Sequence, residues 1–127
     1  MRALIAAFIA VSIVSLALAQ APAPSANVKT MAGILAKLNH FPNDAEKATL
    51  NGIVKSDTAT AHEKTVAQAL VNTQHTASAA DKPKLEALSK DKTAPESVRS
   101  LADILARLNH APSAADKATL TKVAGGM

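Results

Sequence analysis

Three histidines, His40, His75 and His110, stand 35 residues apart, each inside a related stretch. The stretches are Leu38-Asn39-His40-Phe41-Pro42-Asn43-Asp44-Ala45-Glu46-Lys47, Thr73-Gln74-His75-Thr76-Ala77-Ser78-Ala79-Ala80-Asp81-Lys82 and Leu108-Asn109-His110-Ala111-Pro112-Ser113-Ala114-Ala115-Asp116-Lys117. A fixed period of this length marks a repeat architecture, because one supersecondary unit recurs and needs its neighbours to bury its apolar face. The period divides the chain into units 28–62, 63–97 and 98–127.

Each unit opens with an apolar stripe at helical spacing. Met31, Ile34, Leu35 and Leu38 form the first, and Leu101, Ile104, Leu105 and Leu108 the third. Val66, Leu70 and Thr73, with Val71 beside them, form a weaker second stripe. Apolar residues at i, i+3, i+4 and i+7 share one face of an α-helix.

A connector beginning at the histidine follows each stripe, and then a second helix. Asn43 with Glu46, Ser78 with Asp81, and Ser113 with Asp116 each place an acid three residues after a capping side chain, the pattern of a capping box. Leu50, Ile53 and Val54, then Leu85 and Leu88, then Leu120 and Val123 supply the apolar faces, and Gly125-Gly126 ends the last helix. Pro83 would fall inside the middle helix if that helix began after Ser78, so a later start at Asp81 is the alternative. Thr60 with Glu63 and Thr93 with Glu96 are further boxes between units. The expected fold is all-α: about six short helices in three helical hairpins, forming a short solenoid or a closed bundle. The period approaches that of tetratricopeptide repeats, whose Trp and Tyr positions have no counterpart here.

The N-terminus reads as an address rather than as fold. Arg2 precedes an apolar run from Ala3 to Leu18, broken only by Ser12 and Ser15, and Ala17-Leu18-Ala19 fits a small-x-small cleavage site. Residues 1–19 are expected to be a signal peptide. Residues 20–27, with Pro22 and Pro24 among small residues, are expected to be a disordered linker to a helical domain at 28–127.

Composition narrows the function. After removal of the leader the aromatic content is Phe41 alone, so stacking on bases or sugars has no platform. Lysines and acids interleave under a formal charge of +4, which argues against a nucleic-acid groove. There is no cysteine, hence no disulfide and no thiolate site. About twenty large apolar side chains make a thin core, which predicts modest stability or help from self-association. Zincin, phosphate-loop and nucleophile-elbow motifs are absent, so no enzyme, no catalytic residue and no cofactor are expected.

The candidate chemistry lies in His40, His75 and His110. Three imidazoles suit Zn²⁺ or Cu²⁺, with His62 left over. In an open stack, however, equivalent positions lie about 8–10 Å apart, one helix spacing, and cannot share an ion. Only a closed threefold arrangement brings them together. The expectation is therefore three separate helix-end residues favoured by the helix dipole, with no metal. Asn39 and Asn109 are expected to supply the left-handed helix terminus. Glu46, Asp81 and Asp116 are expected to be caps rather than paired carboxylates, and Lys47, Lys82 and Lys117 a solvated face rather than an anion site.

These readings favour an exported, non-catalytic interaction module of the cell envelope or exterior. It would be secreted or periplasmic, with a protein or peptide partner, no nucleic acid, and contact with membrane only through the signal segment. The alternative is a small periplasmic metal-binding or stress-responsive protein acting through the repeated histidines.

Overall fold

The computed structural model describes residues 23–126. The signal segment expected at 1–19, and residues 20–22 of the expected linker, lie outside the described residues. Six helices follow in order: α1 (Ala26–Ala36), α2 (Asp44–Val54), α3 (Ala61–Asn72), α4 (Lys82–Ser89), α5 (Glu96–Ala106) and α6 (Ala114–Ala124). The described residues contain no strand, only isolated bridges at the histidine connectors.

Local chemistry fixes most of the helix starts. Complete capping boxes stand at Asn43 with Glu46 and at Thr60 with Glu63. Ser113 accepts from the Asp116 amide, and Ser25 caps α1 by accepting from Val28. That cap begins α1 inside the stretch expected to be linker, and Pro24 just before it is buried. The middle unit takes the later start: α4 opens at Lys82, with Pro83 in the first turn, where a missing amide costs nothing. The box expected at Thr93 and Glu96 does not form. Thr93 turns back to Asp91 instead, its hydroxyl and amide donating at 2.6 and 2.9 Å, and α5 starts after Pro95 without a side-chain cap. Those two bonds, the hydroxyl's first, hold the Asp91 carboxyl below its ordinary pKa.

The apolar stripes all face inward. Met31, Leu35, Val66, Leu70, Leu101 and Leu105 are fully buried, as are Leu50, Leu85 and Leu120 on the second helices. Ala32, Ala67 and Ala102, spaced 35 residues apart, are also fully buried. A methyl there lets helix backbones approach closely. Accordingly α1, α3 and α5 touch one another, while α2, α4 and α6 each touch two of those three and not each other. The most extensive pairs are α2 with α3, α4 with α5, and α1 with α6. Two of these join neighbouring units and the third joins the two ends of the chain. Packing within each expected hairpin is slighter.

Three polar side chains are buried among the described residues, Glu63, Thr73 and Asp81. Glu63 is 6 % exposed, at the register position held by Val28 and Val98. Ser25 and Asn27 donate to its carboxylate at 2.8 and 3.1 Å, and the Thr60 amide donates at 3.2 Å. A buried carboxylate needs such donors, and the two side-chain donors, Ser25 and Asn27, lie just before residue 28, the expected start of the first unit.

Candidate metal centre

α1, α3 and α5 end at Ala36, Asn72 and Ala106, and the chain then reaches a buried anchor, Leu38, Thr73 or Leu108. Thr73 keeps that place by returning its hydroxyl to the Ala69 carbonyl at 2.7 Å. Two residues later comes the histidine. His40, His75 and His110 have φ of 76°, 67° and 68°, and they are the non-glycine residues with positive φ among those described. On either side of each, the chain closes an i+2 to i hydrogen bond: Phe41 to Asn39 at 3.0 Å, Thr76 to Gln74 at 2.7 Å, and Ala111 to Asn109 at 2.8 Å. These are γ-turns of the positive-φ kind, which are rare and strained. The left-handed residue is therefore the histidine, not the asparagine before it. Buried Pro42, Ala77 and Pro112 then lead into the next helix.

The three turns interlock. The His75 amide donates to the His40 carbonyl at 2.5 Å, His110 to His75 at 2.6 Å, and His40 to His110 at 2.7 Å. The donors and acceptors close a ring, so each histidine backbone is held by the other two. This overturns the expectation of three separate helix ends: the residues lie beyond the helix termini and converge on one point.

Their side chains converge as well. Ring centroids lie 4.8, 5.2 and 4.9 Å apart, in edge-on contact. One nitrogen from each ring falls within 4.8 Å of the others. A tetrahedral zinc site, with Zn–N bonds of 2.0–2.1 Å, needs nitrogens about 3.3 Å apart. Ligation therefore requires the imidazoles to turn inward from their present spacing; His75 and His110 are exposed and His40 is half-buried. Asn109 orients one ring, since its Oδ1 lies 2.7 Å from His110 Nδ1. An amide oxygen only accepts, so this contact is a hydrogen bond when the ring carries its proton on Nδ1, the tautomer that leaves Nε2 for a metal.

Comparison of the chain with family models, curated proteins and solved structures finds no match. The site is therefore judged on its own geometry.

The remaining candidates fall into supporting places. Glu46 returns to the Asn43 amide as expected of a cap, whereas Asp116 bonds Ser113 only through its amide and turns its carboxylate to Arg107, so that box is incomplete; buried Asp81 accepts from Ser78 and Asn72 at 2.7 and 3.1 Å. Arg107 clamps the connector that carries His110. It donates to Asp103 at 2.9 Å and to Asp116 at 3.2 Å, and the first of these bonds is the larger cause of its raised pKa. Lys47 lies over the ring of Phe41, the residue after His40, at 5.9 Å. His62 is remote from the triad and faces Asp91 at 3.9 Å.

Proposed function

We propose that this chain is an exported, non-catalytic metal-binding protein that holds one Zn²⁺ or Cu²⁺ ion on His40, His75 and His110. The observation that carries the reading is the placement of three imidazoles on three interlocked turns. Imidazole is a borderline ligand suited to Zn²⁺ and Cu²⁺. Backbone strain supports the same reading. A left-handed histidine costs about 1–3 kcal/mol, and such outliers persist where the surroundings hold them for a purpose. Glycine would take the turn without that cost. We further read the chain as three copies of a 35-residue unit closed around an axis through the histidines. The contact of α1 with α6 supports closure, and the apolar leader at 1–19 supports export to the periplasm or exterior.

The interaction-module reading has no comparable feature. Phe41, 54 % exposed, is the exposed large apolar side chain among the described residues, and one such residue makes no docking patch.

Calorimetric titration of the metal-free protein with Zn²⁺ and Cu²⁺ tests the proposal. One ion should bind per chain, and His40→Ala, His75→Ala and His110→Ala should each remove most of the affinity, since a three-ligand site is lost as a unit. Three weak, independent sites would contradict it.

A further inference from the structure

We infer that the ion on the histidine triad takes a small anion as its fourth ligand. The inference rests on the metal-site reading and concerns the chemistry of the position that the protein leaves open.

Three imidazoles bind a divalent ion as neutral ligands, so its full charge stays uncompensated. A tetrahedral ion on three protein ligands keeps one open position. The three turns approach from the protein side, and exposed His75 and His110 leave the opposite side to solvent.

Among the described residues no carboxylate shares the triad's cluster: Asp44 is exposed in the first turn of α2, and the other acids at the adjoining helix starts have partners. Glu46 accepts from the Asn43 amide at 2.9 Å, Asp81 is buried against Ser78 and Asn72, and Asp116 is held by Arg107. The set of side chains that can share an ion there is the three histidines, without an acid. A cationic centre with exposed ligands and no carboxylate in its cluster selects a monoanion with one oxygen or nitrogen donor, such as a carboxylate or bicarbonate, over a fourth neutral ligand.

Co²⁺ reports this directly, because its visible bands respond to a change of ligand. The full exported chain is loaded with one equivalent of Co²⁺ and titrated with sodium azide, then with sodium bicarbonate, at constant ionic strength. Each anion should shift the bands with single-site saturation, and the two should compete. A stoichiometric Co²⁺ complex with a spectrum indifferent to both anions overturns this inference and leaves the metal reading standing. Failure to take up Co²⁺ at all, with no calorimetric signal for Zn²⁺ or Cu²⁺, overturns both.

Discussion

At the scale of the residue, the decisive fact is a backbone angle. His40, His75 and His110 each take positive φ, a conformation in which glycine is at ease and histidine is not. The account holds that the imidazole is kept for its nitrogen and not for the turn. His75→Gly separates the two. Relief of strain returns about 1–3 kcal/mol, against about 0.4–1 kcal/mol for the freer unfolded chain. The metal-free variant should therefore melt at or above the parent temperature, while with Zn²⁺ present the parent should be the more stable. A loss of more than about 1 kcal/mol in the metal-free variant would mean that the packed rings hold the fold, contrary to the account. Asn39 and Asn109 drew the left-handed position one residue too early. Sequence rules assign that conformation to Gly or Asn, and only the interlocking of three turns moves it to the histidine.

At the scale of the element, the sequence was largely legible because the signals are local. The stripes through Leu35, Leu70 and Leu105 and the caps at Asn43, Thr60 and Ser113 act over three or four residues, and the structure places all of them as their spacing implies. Legibility failed where a neighbour competes. Asp91 draws Thr93 away from the start of α5, and Pro83 delays α4. Glu63 shows the same limit: its burial depends on Ser25 and Asn27, far away in sequence. Leu35 and Leu105 are both fully buried on helices that touch each other. Leu35→Ala and Leu105→Ala should each cost about 2–5 kcal/mol, with cavity formation adding to the lost burial. Urea melts check this, and a near-zero change at either position would show that its stripe does not face the core.

At the scale of the whole molecule, what the sequence could not show is which helix meets which. Equal spacing of the histidines fits an open stack or a closed ring, and in a stack the rings stand a helix apart. The contact of α1 with α6, residues distant in the chain, is what sets His110 beside His40. Closure of this kind depends on the sum of connector angles, which no single residue encodes. It also ties the site to folding: an ion that binds only the converged triad stabilises the folded chain in proportion to its excess over the dissociation constant. The central claim is that one ion sits among all three histidines, and X-ray absorption at the zinc edge of the one-to-one complex measures it. The account predicts a low-coordinate first shell dominated by nitrogen at about 2.0–2.1 Å, with outer-shell scattering from three imidazoles. A six-oxygen shell, or scattering from a single imidazole, would contradict it.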